Sequence, residues 1–305
     1  MGRVVVLGIF AADLAFTAPR LPHPGETLLG SAFALGPGGK GSNQAIAARR
    51  AGADVAFVSR IGRDAFGEMS LSLWQAEGID TRAVSRSDKP TGTAFIFRPE
   101  GSAENAIIVV SGAAGDLNAE DVTPDLLDGA GVMLTQLEQP YPAAQAALAR
   151  ARAAGLVTIL NPAPASREAA ALLPLADYVT PNESEAALLT GCRVDTIEDA
   201  RAAGDALIDL GAGCAVITLG ERGALFHTPD RSTLIPAMTA GPAVDTTGAG
   251  DAFNGAFAAA LAEGQVPFEA ARFAVAAAGL SVTKPGAGAA MAHRAAIDAL
   301  IAARA

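Results

Sequence analysis

The sequence predicts an α/β fold: a mainly parallel β-sheet covered by helices on both faces, with a second, smaller sheet beside it. Three observations carry this expectation. Short apolar runs at 55–59, 132–137, 157–160, 178–180 and 215–219 alternate with helical patterns, and strand, helix and strand in repetition imply parallel strands buried on both faces. Polar residues follow these runs: Glu138, Asn161, Asn182 with Glu185, and Gly220. Ligands of such sheets bind outside the carboxyl ends of the strands, where these residues fall. Finally, β-rich runs at 91–97 and 105–110, joined by the turn Pro99-Glu100-Gly101-Ser102, read as a hairpin. With the Pro- and Gly-rich stretch 13–34, this hairpin forms the small sheet.

The chain begins with an apolar run at 4–12 that follows a single basic residue, Arg3, and is interrupted by Asp13. This pattern reads as a first buried strand and not as a signal peptide, and no later apolar segment reaches membrane-spanning length unbroken. The chain has 305 residues, half of them hydrophobic but only 5% aromatic, so the core is built mainly from Ala, Val, Leu and Ile. A net charge of −10 argues against a nucleic-acid or anionic-membrane binder. Cys192 and Cys214 lie in no ligand or redox spacing, which reads as buried free thiols in a reducing cytoplasm. His23, His227 and His293 are widely separated and read as structural or surface residues.

Next comes G-P-G-G-K-G-S-N-Q at 36–44, running into a helix at 45–50 that Gly52 ends. It is not a P-loop, because Gly41 stands where Ser or Thr must follow the lysine. Two glycines before Lys40 permit close backbone approach, and Asn43 can both donate and accept, which suits a polyhydroxy ligand. A glycine turn feeding a helix with a solvated lysine fits the same letters. Residues 64–77 read as a helix, with Phe66, Met69, Leu73 and Trp74 near one face.

Residues 244–255, V-D-T-T-G-A-G-D-A-F-N-G, form the densest constellation. Gly248, Ala249 and Gly250 present nearly bare backbone at the start of a helix marked by Ala252, Phe253, Ala256, Phe257 and Leu261. Helix N-terminal amides and the positive end of the helix dipole favour an anion there. Asp251 in their midst is placed to take a proton from an attacking hydroxyl, which suggests phosphoryl transfer to an alcohol. A helix-capping aspartate beside a tight turn is the plainer alternative. Residues 268–282 read as a buried helix, 285–288 break it, and 293–303 form the last helix.

Both motifs resemble the signatures of the PfkB, or ribokinase-like, family of carbohydrate kinases, and the likeness runs along essentially the whole chain. It includes P-G-E-T at 24–27, T-Q-L-E at 135–138, N-P-A-P-A at 161–165 and K-P-G-A at 284–287. The resemblance implies a ribokinase-like three-layer α/β/α sandwich, one domain over 1–305, with a β-sheet lid at about 13–36 and 88–112. It implies an ATP-dependent sugar kinase in which Asp251 is the base and Gly248, Ala249, Gly250 and Asp251 form the anion hole. Asp13, Gly39, Lys40, Asn43 and Glu138 are assigned to the sugar, and Asn182, Thr218, Gly220, Gly223 and Gly250 to ATP. Asn182 and Glu185 are assigned to Mg²⁺ through water, and Asp245, Thr247, Ser281, Lys284 and Gly286 to an activating K⁺. A homodimer through the lid is a further family expectation.

Three positions depart from the ribokinase pattern. Ala11 replaces an Asn that contacts the sugar together with the residue matching Asp13, which bears on whether ribose is the substrate. Val275 stands where a His often lies near the adenine, and Ala290 lacks a hydroxyl expected at the K⁺ loop. A nucleoside kinase of the same fold would want a wider, more aromatic lid pocket than 5% aromatic residues suggest. A silent sugar-sensing protein would not need Asp251.

Overall fold

A computed structural model describes residues 2–101 and 105–304, so Ser102 of the expected hairpin turn lies outside the described residues. The strands are β1 (Arg3–Leu7), β2 (Ala11–Ala18), β3 (Ala32–Gly38), β4 (Asp54–Gly62), β5 (Val84–Ser87), β6 (Thr91–Pro99), β7 (Ala106–Gly112), β8 (Val132–Thr135), β9 (Val157–Leu160), β10 (Tyr178–Val179), β11 (Cys214–Thr218), β12 (Ala224–Thr228) and β13 (Arg231–Ile235). The helices are α1 (Lys40–Arg50), α2 (Ala65–Ala76), α3 (Pro124–Leu127), α4 (Tyr141–Ala153), α5 (Glu183–Thr190), α6 (Ile197–Asp209), α7 (Ala249–Ala262), α8 (Pro267–Ser281) and α9 (Arg294–Ala302).

The large sheet runs β13-β12-β11-β10-β9-β8-β1-β4-β5. It is parallel except at one edge, where β12 pairs antiparallel with both β11 and β13. Successive side chains point to opposite faces of a strand, and β1 uses both. Val4 and Val6 pack with α1, α7 and α8, while Val5 and Leu7 pack with Ala143, Ala147 and Ala151 of α4. The same division continues at β11, where Val216 joins the first helical layer and Ala215 and Ile217 join α5 and α6. Three layers result, as the alternating pattern implies. Among the described residues no helix is long and apolar enough to cross a membrane.

The small sheet has the order β3-β2-β6-β7. Its outer pairs are antiparallel, but β2 and β6 run parallel, with Asp13 opposite Ala94 and Thr17 opposite Arg98. Ala15, Ala94 and Ile96 turn inward onto the main body, whereas Phe16, Phe33 and Leu35 are exposed on the outer face.

Several boundaries differ from the sequence reading. The run 4–12 is not one strand: the chain leaves the large sheet after Leu7, the Gly8 amide donates to Val58 O at 3.1 Å, and β2 begins in the other sheet. The helix expected at 45 starts at Lys40, so the glycine motif spans the end of β3, the N-cap Gly39 and the first turn of α1. That turn is anchored by fully buried Trp74, whose Nε1 donates to Ser42 Oγ at 2.9 Å. β5, β12 and β13 were not expected. Both cysteines are free, with Cys214 buried as expected and Cys192 only half-buried.

Candidate active site

After β1 the chain adds β4 and β5 on one side, and later β8 to β11 on the other. The order therefore reverses at the β8–β1 boundary, the place where sheets of this kind leave a crevice beyond the carboxyl ends of the strands. The loop into α1 and the segment after β8 meet there. Gly39 has φ +88°, and a Cβ on it would stand 2.7 Å from Ile9 O; a Cβ on Gly41 would stand 2.6 Å from Gly8 Cα. Only glycines allow the two backbones to approach so closely. Gly39 gives α1 no side-chain cap. Glu138 supplies one from across the crevice, its Oε2 accepting the Lys40 amide at 2.7 Å.

α7 enters the crevice from the other side. Its N-cap, Gly248, is left-handed at φ +78°, and a Cβ there would stand 2.8 Å from Ala287 Cβ. The Ala249 amide donates to Thr246 O and that of Ala252 to Gly248 O. The Gly250 and Asp251 amides between them belong to the helix's first turn, which has no preceding turn to bond. Asp251 is 7% exposed. Its Oδ2 accepts from Asn43 Nδ2 at 3.0 Å and its Oδ1 from Gln44 Nε2 at 2.9 Å. The two glycine motifs, about two hundred residues apart in sequence, are thus bonded directly to each other.

The electrostatics follow from burial of many carboxylates around one lysine. Burial pushes the Asp251 carboxyl above its ordinary range, opposed by Lys40 and by the Gln44 and Asn43 amides. Burial likewise lifts Glu138 to about 7, against the pull of Lys40 and its amide, with Asp251 and Asp13 adding to the rise. Asp13 rises to about 6 through burial and Asp251, with Arg98 opposing. Glu185 is also raised by burial, less the effect of its bond from the Asn182 amide and of Lys40. Burial works against the Lys40 ammonium, but Asp251, Glu138 and Glu185 together hold its pKa above the usual value.

Beside the α7 N-terminus lies an open cavity of about 520 Å³ whose lining includes Asn182, Thr218, Gly220, Gly223, Gly250 and Val275. All five residues that the sequence reading assigned to ATP are among them. Asn182 and Thr218 sit side by side as a parallel bridge at the ends of β10 and β11. Asn182 and Glu185 form a reciprocal capping box on α5: Asn182 Oδ1 accepts the Glu185 amide and Glu185 Oε2 accepts the Asn182 amide, both at 2.8 Å. Another depression of about 470 Å³, lined by Pro124, Asp125 and Leu156 among others, contains none of the residues assigned from sequence.

Asp245 ties together the two loops behind the α7 N-terminus, its Oδ1 accepting the Thr247 amide and its Oδ2 the Gly286 amide, both at 2.9 Å. Burial would raise its pKa, but the Thr247 hydroxyl and these amides outweigh it and hold the carboxylate below its usual range. Ser281 turns its hydroxyl to Ala278 O, and its carbonyl accepts the Lys284 amide. Ala290 is buried nearby in a single 3₁₀ turn. Ala11 is buried on β2, on the same face as Asp13 and opposite Gly38.

The sequence reading missed how the carboxylate is supported. Gln44 also donates to Asn161 Oδ1, Asn161 donates to Thr180 O, Thr180 donates to Asn254 Oδ1, and Asn254 donates to Gly250 O. In the sequence Asn161 stands out only as a strand-end residue. Asn254 lies one helical turn after Gly250, a spacing visible in the sequence; the other partners are joined only by folding.

Comparison with known proteins agrees with this geometry. Residues 1–294 match the pfkB family carbohydrate kinase description. The chain is 41% identical to the ribokinase of Haemophilus influenzae over 287 residues, 93% of each chain. It is 36% identical to the deoxyribokinase of Salmonella typhi over 259 residues, 84% of each. The structure of Arabidopsis thaliana ribokinase complexed with ribose and ATP superposes with a TM-score of 0.91 at 32% identity, covering 98% of both chains. The fold, the crevice and these likenesses together show that the chain belongs to the pfkB family and is an ATP-dependent carbohydrate kinase of the ribokinase type.

Proposed function

We propose that the protein transfers the γ-phosphoryl group of ATP to the primary hydroxyl of a small sugar, a pentose or a ketohexose. Asp251 takes the hydroxyl proton, the oxygen forms a bond to the γ-phosphorus, and the bond from that phosphorus to the bridging oxygen breaks to release ADP. The observation that carries this reading is the Asp251 carboxylate, buried and held by two amide donors in the first turn of a helix whose N-cap is a left-handed glycine. Such a turn offers free amides and a positive dipole end to a transferring phosphoryl group. Within residues 248–251, the Gly250 and Asp251 amides act as the anion hole, the Ala249 amide being bonded to Thr246 O.

The sugar lies in the crevice between Asp13, Gly39, Lys40, Asn43 and Glu138, and ATP lies in the cavity lined by Asn182, Thr218, Gly220, Gly223 and Gly250. The small sheet, with Asp13 on its inner face, closes over the sugar as a lid. A triphosphate entering beside Glu185 and Asp251 meets one lysine and several carboxylates, so a divalent cation fits this donor set. Asn182 and Glu185 would hold Mg²⁺ through its waters, where it would neutralise phosphate charge. Asp245, held as a carboxylate, would hold K⁺ with the segments carrying Thr247, Ser281, Lys284 and Gly286. Free thiols and an ATP donor fit a cytoplasmic setting.

The outer face of the lid exposes Phe16, Phe33 and Leu35, with the apolar β7 side chains of residues 107–110 also exposed at its edge. This apolar surface supports a homodimer through the lid. Sedimentation equilibrium showing only monomer at micromolar concentration would remove that part of the reading.

The test of the chemistry is Asp251→Asn, which keeps the shape and removes the base. It should lower kcat by roughly 10² to 10⁴ while nucleotide affinity stays within about threefold. A kcat within about tenfold of the parent would take Asp251 out of the role.

A further inference from the structure

Four polar side chains beneath the crevice, none of them given a part in the proposed reaction, form a ring that closes on Asp251. Gln44 is fully buried, Thr180 and Asn254 are each 1% exposed, and Asn161 is 6% exposed. Gln44 Nε2 donates to Asp251 Oδ1 at 2.9 Å and to Asn161 Oδ1 at 3.0 Å. Asn161 Nδ2 donates to Thr180 O at 3.0 Å, and the Thr180 hydroxyl donates to Asn254 Oδ1 at 2.5 Å. Asn254 Nδ2 donates to Gly250 O at 2.8 Å. The ring closes through the peptide linking Gly250 to Asp251.

That peptide is a rigid plane in which the Gly250 carbonyl and the Asp251 N–H point in opposite directions. A side chain that holds the carbonyl therefore aims the amide. The Asp251 N–H is directed toward the N-terminal end of α7, where Ala249 and Gly250 line the nucleotide cavity. Thr180 Oγ1 fixes the Asn254 amide from the end of β10, two residues before Asn182. Stability alone does not call for this arrangement. A side chain bonded back to the carbonyl four residues earlier offers a helix little, and an apolar pair of the same shape can replace a buried polar pair at nearly no cost.

We infer that Thr180 and Asn254 are positioning residues that hold the Gly250–Asp251 peptide for phosphoryl transfer, and that the same ring, through Asn161 and Gln44, orients the carboxylate of Asp251. Both side chains are buried, so they act through the peptide and not by meeting a ligand themselves. Their effect is to keep the amide and the base in one fixed relation to strand ends that also carry the nucleotide site. The inference rests on the proposed role of Asp251.

The experiment compares Thr180→Val, Thr180→Ser and the double variant Thr180→Val/Asn254→Leu, with Asp251→Asn alongside. Thr180→Val keeps shape and removes the hydroxyl; it should lower kcat about tenfold to a hundredfold with the KM for sugar and for ATP within about twofold. Thr180→Ser, which keeps the hydroxyl, should stay within about threefold of the parent. The double variant exchanges the polar pair for an apolar one. It should recover the parent's unfolding midpoint but not its kcat, and it serves also if Thr180→Val alone does not fold. Equal losses in Val and Ser, a kcat restored together with stability in the double variant, or a change confined to KM would each overturn the inference. If Asp251→Asn is slow while the Thr180 variants are fast, only the ring is refuted. If Asp251→Asn is itself fast, the reading of the site fails first.

Discussion

Replacing Glu138 by Gln should change how the stability of the protein depends on pH, and the size of the change follows from its surroundings. The carboxyl rises from the ordinary 4.5 to about 7, first through burial and against the pull of Lys40 and the Lys40 amide. Between these values the folded protein holds a proton that the unfolded chain has already lost. Raising the pH through this window removes that proton from a buried site, so stability is fully present below 4.5 and is lost as the pH passes about 7. A shift of this size corresponds to roughly 3 kcal/mol, using about 1.4 kcal/mol for each pH unit. Asp13, raised from 3.8 to about 6, acts in the same direction over a lower window.

The amide introduced by Glu138→Gln carries no charge at any pH, and its oxygen can still accept the Lys40 N–H that Glu138 Oε2 accepts in the parent. The variant should therefore gain on the parent as the pH rises. Thermal unfolding midpoints measured at pH 5, 6, 7 and 8 should show the difference between the two proteins growing by several degrees toward alkaline pH. A difference that stays constant across this range would mean that Glu138 is already ionised at pH 5, and the account of a desolvated carboxyl would be wrong. On the proposed reading a sugar hydroxyl donating to Glu138 favours its charged form, so sugar binding near pH 6.5 should release protons. Calorimetry in two buffers of different ionisation enthalpy detects that release, and Glu138→Gln should diminish it.

Two further predictions concern the cation and the sugar. Exchanging Na⁺ for K⁺ at constant ionic strength should raise activity, since a K⁺ beside Asp245 would stiffen the loops that Asp245 joins to each other; equal rates in Li⁺, Na⁺, K⁺ and Cs⁺ would show that the hydroxyl missing at Ala290 has cost the site. On the proposed reading Ala11 leaves the sugar without a donor and an acceptor beside Asp13, so the parent should favour a deoxypentose, another pentose or a ketohexose. Ala11→Asn should move kcat/KM toward ribose by about tenfold, consistent with one hydrogen bond of roughly 0.5 to 1.5 kcal/mol. Kinetics with ribose, 2-deoxyribose and fructose on both proteins test this, and a parent that already ranks ribose first by a wide margin refutes it.

The strands that sequence reading found are those with a hydrophobic signal. β8 and β9 are buried or nearly so throughout, and their apolar letters are contiguous or nearly so. β5, Val-Ser-Arg-Ser, is a half-exposed edge strand whose polar letters carry no such signal. β12 and β13 follow tight turns and pair antiparallel at the opposite edge, where no alternation with helices announces them. The start of α1 at Lys40 is masked in the sequence for a definite reason. Lys40-Gly41-Ser42 has the letters of a turn, but Gly41 is small because its helix passes close to Gly8. A requirement set by a neighbour looks, in one dimension, like a local preference.

The same reasoning separates the legible part of the site from the rest. Gly39 and Gly248 are dictated by their own backbones, through their positive φ, and each leaves a mark in a few consecutive letters. Support for the Asp251 carboxylate is of another kind. Asn43 and Gln44 lie about two hundred residues from it in sequence, and neither shows alone that it donates to a buried acid. Their consequence is chemical. Burial pulls Asp251 toward its neutral form, in which it could not accept a proton, while Lys40 and the two amides pull it toward the charged form. On the proposed reading Asp251 must sit between these limits: desolvated enough to attract a proton in the transition state, and bonded well enough to enter the reaction ionised. Two neutral donors oppose burial without adding a second cation beside Lys40; on the proposed reading, charge compensation of the triphosphate is then left to the ions that accompany it.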